Sequence, residues 1–209
     1  MKLNLTVDEV LSTTRSVRKR LDMSKPVPRQ VIEECLELAL QAPNGSNRND
    51  WRWVVVDDKE KIAKLGNIYR ATMADINRAY RMDVGIDPHH SALMSSVAAL
   101  VDSIDRAPAM VVPLMMGRAE GKSAMEQAAM WGSVIQAVWS LFLALRERGI
   151  GAAWTTITLQ REREVADLLS IPFDQYTQVG LFPIAYTIGT DFKKAWRKPL
   201  SEVLTYNQF

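Results

Sequence analysis

The chain has 209 residues, within the usual span of one domain and long enough to bury a sizeable core. Its 47% apolar and 24% charged residues exclude a disordered or fibrous class. With 26 basic and 24 acidic residues the net charge is only +2, which argues against a nucleic-acid-binding field.

The single cysteine, Cys35, allows no internal disulfide and no multi-cysteine metal site. It falls in an apolar helical pattern, the place of a small buried hydrophobe. Residues 1–9 hold no apolar h-region, so no secretory signal is expected. The most apolar stretches, Ala107–Met116 and Val138–Leu145, are too short to span a bilayer. A cytoplasmic protein without membrane or nucleic-acid partners is the expectation.

Thr6-Val7-Asp8-Glu9 reads as a capping box and predicts a first helix to about Thr14. Pro26 and Pro28 break the chain, and Pro28 suits the first turn of a second helix. Val31, Ile32, Cys35, Leu36, Leu38, Ala39 and Ala42 give that helix its apolar stripe. Pro43 and Asn44-Gly45 end it. Trp51–Val56 is β-rich. Lys59 to about Arg81 is helical, Met82–Pro88 reads as a loop, and Ser91–Ile104 is helical again. Ala109–Met116 is a second strand. The longest helix is predicted over Ser123–Arg148, with Gly149 closing it. Its apolar residues go nearly all round, so it should be covered on all sides, and a partner subunit is one cover. Ala152–Thr158 predicts a third strand, Arg161–Leu169 a short helix, and Val179–Ile188 a fourth strand. Irregular alternation of helix and strand places the chain in a mixed α and β class, as one domain over residues 1–209.

Four segments carry chemistry. Arg15, Ser16 and Arg18, with Lys19 and Arg20 beside them, supply forked donors and a hydroxyl, which is what a phosphate wants. The same cations at a helix end also complement its dipole. Pro43-Asn44-Gly45-Ser46-Asn47-Arg48-Asn49-Asp50-Trp51 is a polar turn. Gly149-Ile150-Gly151-Ala152-Ala153-Trp154-Thr155-Thr156 is a helix end running into a strand, with small residues that permit close approach. Arg197-Lys198-Pro199-Leu200 closes a basic tail that also holds Lys193 and Lys194.

In order and spacing these segments resemble the FMN-dependent nitroreductase family, over about Val7 to Val203. The resemblance implies an α+β, three-layer sandwich with a mostly antiparallel sheet, forming an intertwined homodimer. It implies FMN as cofactor and NADH or NADPH as electron donor. Ser16 would touch the phosphate or ribityl side, with Arg15 beside it. Arg18 would lie near the pyrimidine edge, where positive charge favours the reduced flavin; it is the one residue to which a catalytic role falls. Pro43, Asn44, Asn47 and Asn49 would belong to a loop that reaches the partner's flavin. Trp154, Thr155 and Thr156 would run beneath the isoalloxazine, mainly through their backbone. Arg197 would contact the phosphate. Where the family often has a basic residue, this chain has Thr14, and Asn44, Asn49 and Asp50 stand for the family's serine, glutamine and proline.

The activity implied is ping-pong hydride transfer from NAD(P)H to a nitroaromatic, a quinone or a similar electron-poor acceptor. Relatives with this fold carry out dehalogenation, flavin fragmentation or ring oxidation, and a flavin-binding protein without turnover is a third class. Other chemistries lack their motifs. His89 and His90 are adjacent and placed in a polar loop, which suits neither a zinc helix nor a triad. No Gly-x-Gly-x-x-Gly follows a strand, so no Rossmann site is implied. Trp131 and Trp139 fall on the long apolar helix and read as core.

Overall fold

The molecule is built around β2, Ala109–Met116. All of its residues except Met116 are buried. Successive side chains on a strand point to opposite faces. Ala109, Val111 and Met115 therefore enter one apolar cluster, and Met110, Val112 and Leu114 enter another. A strand buried on both faces needs cover on both, and helices supply it. The computed structural model describes residues 2–80 and 88–209.

On the first face lie α2 (Arg29–Ala39) and α5 (Ala124–Glu147). On the second lie α3 (Lys59–Tyr80), α4 (Pro88–Val101) and α6 (Glu162–Leu169). The sheet between them has the order β1-β2-β5-β3, with β1 at Trp51–Val56, β3 at Ile150–Ala152 and β5 at Phe182–Tyr186. A further strand, β4 (Tyr176–Gln178), also pairs with β2. Every pairing of named strands is antiparallel, with Val54 opposite Val112, Val111 opposite Phe182 and Ala152 opposite Ile184. This is the expected α+β three-layer sandwich.

Local chemistry sets the helix ends. Thr6 and Glu9 form the expected capping box at α1 (Val7–Thr13). A second one, Ser123 with Glu126, opens α5. Pro28 sits in the N-cap position of α2, just outside the first turn where it was expected, and the helix stops three residues short of Ala42.

Several expectations need correction. The third strand stops at Ala152; a 3-10 turn occupies Ile157–Arg161. The chain leaves the sheet because Thr155 turns to Leu181, whose N–H donates to its carbonyl at 3.0 Å and whose carbonyl accepts its hydroxyl at 2.5 Å. The run expected as one strand over Val179–Ile188 becomes β5 alone, with β4 preceding it. The changeover lies beside Pro113, which has no N–H to give the ladder. His89 and His90 lie in the first turn of α4 and not in a loop; residues 82–87 of that expected loop are outside the described residues. Trp139 is 37% exposed, and so is not core. By length and composition alone α5 could cross a membrane, against the expectation that the apolar stretches are too short. Half of its most apolar window is buried, as in a core helix.

Candidate functional site

Just past α1 the chain turns extended at Thr14, whose hydroxyl donates to the Val10 carbonyl at 2.6 Å. It then runs against β3. Val17 donates its N–H to the Ala152 carbonyl at 2.8 Å, and Ser16 bridges Ala152 in parallel. The crossing is tight. A Cβ at Gly151 would lie 3.0 Å from that of Val17 and 2.9 Å from Thr187 Cγ2, so glycine is what lets the two segments meet. Val17 and Leu21 go into the core, which leaves Arg15, Arg18 and Lys19 on the open side. Ser16 Oγ accepts the Trp154 N–H at 2.6 Å. The first and third sequence segments are thus brought together.

The open side is a cleft of about 350 Å³. Arg15, Ser16, Arg18, Lys19, Arg20 and Lys193 line it, with Ser96, Phe192 and one carboxylate, Asp191. Five cations against one acid make an anion site. Asp191 is already engaged by Arg20 at 2.8 Å, and that guanidinium holds its carboxyl below the usual range. Among the described residues the Arg18 guanidinium has no hydrogen-bond or ion-pair partner. It lies close enough to oppose the burial that pushes the Tyr69 phenol up. A free guanidinium, a hydroxyl and surplus positive charge suit a planar ligand that carries a phosphate, so the residues present fit FMN.

Other expected residues fall elsewhere. Trp154 is half-buried, its ring 4.9 Å from that of Phe182 and 5.7 Å from that of Phe142. Its N–H is spent on Ser16. Thr155 is buried and directs its hydroxyl to Leu181, whereas Thr156 is exposed. Arg197 is exposed and donates to the neighbouring Trp196 carbonyl at 2.7 Å; it does not line the cleft.

Pro43, Asn44, Asn47 and Asn49 lie at the opposite end of α5. Asn44 Oδ1 accepts the Asn49 N–H at 2.9 Å, and Asn49 Nδ2 donates to the Asn47 carbonyl at 2.8 Å. Ser46, Asn47 and Asn49 all have positive φ. The loop is pinned to the helix by Gly45, whose N–H donates to Ser133 Oγ at 2.9 Å. The cationic segment meets α5 at Arg146, which donates to Thr13 Oγ1. Those contacts are thirteen residues apart on one helix, about 20 Å at 1.5 Å per residue. One chain does not bring the asparagine loop to the cationic cleft.

Against known proteins, the nitroreductase family model matches residues 11–186. The chain belongs to the nitroreductase family. The matched region ends before Arg197. A protein of Methanothermobacter thermautotrophicus, provisionally named NADH dehydrogenase/NAD(P)H nitroreductase, is 29% identical over 65 residues, which span 31% of this chain and 33% of that relative. Among solved structures, a BluB-like flavoprotein from Clostridium difficile 630 superposes with a TM-score of 0.72 at 17% identity, covering 98% of this chain and 100% of that one. Oxidised iodotyrosine deiodinase, bound to FMN and 3-iodo-L-tyrosine, gives 0.72 at 20% with the same coverage. The FMN and NADPH-dependent nitroreductase of Sphigopyxis sp. strain HMH gives 0.69 at 18%, again with 98% and 100% covered. These likenesses show the nitroreductase-like fold.

Sequence reasoning missed Arg146 and Phe192 in this family member. In the sequence Arg146 is one cation among several near the end of the long helix. Its burial was visible only once the tail was placed over it. Phe192 carried no signal beyond being one aromatic in a basic tail; Arg20 stacks on its ring at 4.2 Å.

Proposed function

We propose that the protein is an FMN-dependent NAD(P)H oxidoreductase that reduces nitroaromatics, quinones or similar electron-poor acceptors in a ping-pong cycle. The observation that carries this reading is the five-cation cleft with its unpartnered Arg18, joined to β3 through Ser16 and Trp154, in a chain of this family. The chemistry supplied by FMN when bound is the uptake of hydride from NAD(P)H and its delivery to the acceptor. Arg15, Lys193 and Arg197 would hold the phosphate, and Ser16 would give its hydroxyl to the phosphate or ribityl side. Arg18 would place fixed charge where negative charge grows on reduction. Of Trp154, Thr155 and Thr156, which would run beneath the ring, Trp154 has its N–H held by Ser16, so the backbone N–H groups left to offer are those of Thr155 and Thr156. No side chain is assigned as general acid or base.

The working form in this reading is a homodimer of single-domain chains in the cytoplasm. The face of α5 left open by its own chain supports the dimer. Met125 is 79% exposed and Ile135 41%, with Ala128, Ala129, Gly132 and Trp139 between or beside them. Apart from its chain neighbours and its own helix backbone, a Cβ at Gly132 would meet nothing within 4 Å among the described residues. A long, apolar, small-residue face of this kind marks a docking surface. A second chain would bring its Pro43, Asn44, Asn47 and Asn49 to a cleft that one chain leaves incomplete. The lone cysteine, buried and free, accords with a reducing compartment.

The solved neighbours span more than one reaction, a deiodinase among them, so the acceptor is a separate question from the fold. The deciding experiment is anaerobic. The purified protein is examined for flavin absorption, reduced with NADH and NADPH in turn, and reoxidised with nitroaromatics, quinones and halogenated phenols. Bleaching by either nicotinamide and return with a nitroaromatic or quinone is the expected result. A colourless protein that takes up no FMN would remove the cofactor. Return only with a halogenated phenol would replace the acceptor class.

A further inference from the structure

A small cavity lies beneath the cationic cleft, between the end of α1, the last turn of α5 and the tail. Arg15, Thr13, Thr14, Arg146, Gly149 and Phe192 are among its walls. Its volume is about 10 Å³, roughly the room of one water-sized body. That is small for a phosphate, with its four oxygens. Two of its walls are guanidinium groups, and each has a buried nitrogen without a partner, Nε of Arg15 and Nη1 of Arg146.

Arg146 is only 7% exposed. Its Nε donates to Thr13 Oγ1 at 3.2 Å and its Nη2 to the Thr190 carbonyl at 3.0 Å. Arg15 donates through Nη2 to the Lys193 carbonyl. All these acceptors are neutral, so they satisfy donors without pairing either charge. Among the described residues no carboxylate forms an ion pair with either arginine.

The nearby acids are committed elsewhere. Glu147 accepts from the Asn4 and Leu5 N–H groups, Glu9 closes the cap on Thr6, and Asp191 pairs with Arg20. Each side-chain nitrogen of Arg20 donates to Ile188 or Asp191, and the group stacks on Phe192, as Arg146 does from 5.0 Å. Burial holds the Arg146 guanidinium below its ordinary value; Glu147 and Glu9 oppose this, and Arg20 and Arg15 reinforce it.

We propose that Arg15 and Arg146 together bind a monatomic anion, a halide, in this cavity. The lining favours an anion over a water. A water would satisfy the free donors but leave both positive charges unmet. The Gly149 carbonyl already receives Thr187 and the Ala152 carbonyl receives Val17. Donors and positive charge remain, which is the chemistry of a halide site. The bound ion would tie α1, α5 and the tail segment at Thr190–Lys193 into one unit. It would also fix Arg15 from below, independently of any cofactor in the cleft above.

The test uses the protein as isolated, with its flavin content measured alongside. Thermal unfolding is followed in sodium chloride or bromide against sodium gluconate at one ionic strength. The expected result is a saturable rise in Tm with halide alone. The apparent halide affinity should weaken at least tenfold in Arg146→Met, or in Arg15→Met if the first variant does not fold. A crystal grown in bromide should show an anomalous peak within hydrogen-bond reach of Arg15 Nε and Arg146 Nη1. Equal Tm in halide and gluconate overturns the proposal. A peak without a solution effect means an adventitious ion only and overturns it too, as does the lack of any peak at that place.

Discussion

The two ends of α5 differ in chemistry, and the proposed function makes them two parts of one site. At its C-terminal end the cleft is cationic, with hydroxyls, guanidinium groups and a close crossing of Val17 over Gly151. At its N-terminal half, Ser133 carries a loop of asparagines, neutral amides that donate and accept but hold no charge. The first end suits a phosphate; the second suits the edge of a planar ring. The rise of the helix between them puts about 20 Å between the two regions within one chain. What joins them is the apolar face of the same helix, exposed in a single chain. In the proposed dimer, the helix that separates the two regions is also the surface on which a second chain would pack.

The severest test acts on that face. Gly132→Arg adds a long charged side chain at a position where the chain itself has open space. Helix propensity favours the substitution by roughly 0.8 kcal/mol, so each chain should still fold. Across a two-fold contact the new charges would meet each other and a desolvated apolar surface. The dimer constant should weaken roughly a hundredfold or more. FMN uptake should fall with it, because the asparagine loop would no longer arrive. Light scattering and a flavin titration on the same samples check both. A Gly132→Arg protein that stays dimeric would place the interface elsewhere.

The second test concerns the cationic half alone. Arg197 stands outside the cleft in one chain, and its side chain donates to the carbonyl of the neighbouring Trp196. If the tail brings it to the phosphate, Arg197→Ala should cost roughly 1.5–3 kcal/mol, about ten- to a hundred-fold in FMN affinity. Titration of the apo-protein measures this. An unchanged dissociation constant would leave the phosphate to Arg15, Lys193 and Ser16.

How much of this was legible in the sequence follows the range of the interactions. Trp51–Val56 and Ala109–Met116 were readable because β-rich runs announce themselves locally. The capping box at Thr6 was readable for the same reason. The shortening of Val179–Ile188 to β5, with β4 before it, was not, since the changeover lies beside Pro113 in another strand. Ser16 and Arg18 were found as a run of donors, but their union with Trp154 rests on a crossing that only Gly151 permits. Arg146 was hidden because its partners, Thr13 and Thr190, are distant in the chain.

A subtler test separates binding from catalysis at the cationic end. Arg18 has no partner among the described residues, so its charge is available to a ligand. Arg18→Ala should lower the reduction potential of FMN-saturated protein by roughly 20–45 mV, the equivalent of about 1–2 kcal/mol for a two-electron couple. Hydride uptake from NAD(P)H should slow accordingly. Arg18→Lys should keep much of the potential while losing the forked geometry. Superimposable redox titrations of wild type and Arg18→Ala would reduce Arg18 to a helix-end cation.

The smallest effect tests the premise that α5 is a fixed spacer. Cys35 lies on α2, packed against α5 in the first apolar layer and fully buried. Burial pushes its thiol up to about 11, against a modest pull from Arg148. A thiol raised in the folded state stays neutral while the unfolded chain's thiol ionises. Its contribution to stability is therefore complete below the ordinary cysteine value and is lost as pH climbs from about 8.5 towards 11. Cys35→Ala should flatten that part of the pH profile, measured by denaturant unfolding between pH 8 and pH 11. At pH 8 the native thiol should resist an aromatic disulfide reagent until denaturant is added. Rapid labelling of the native protein would mean that α2 lifts from α5 readily. In that case the spacing between the cationic cleft and the asparagine loop would vary with time, and the two halves could meet without a second chain.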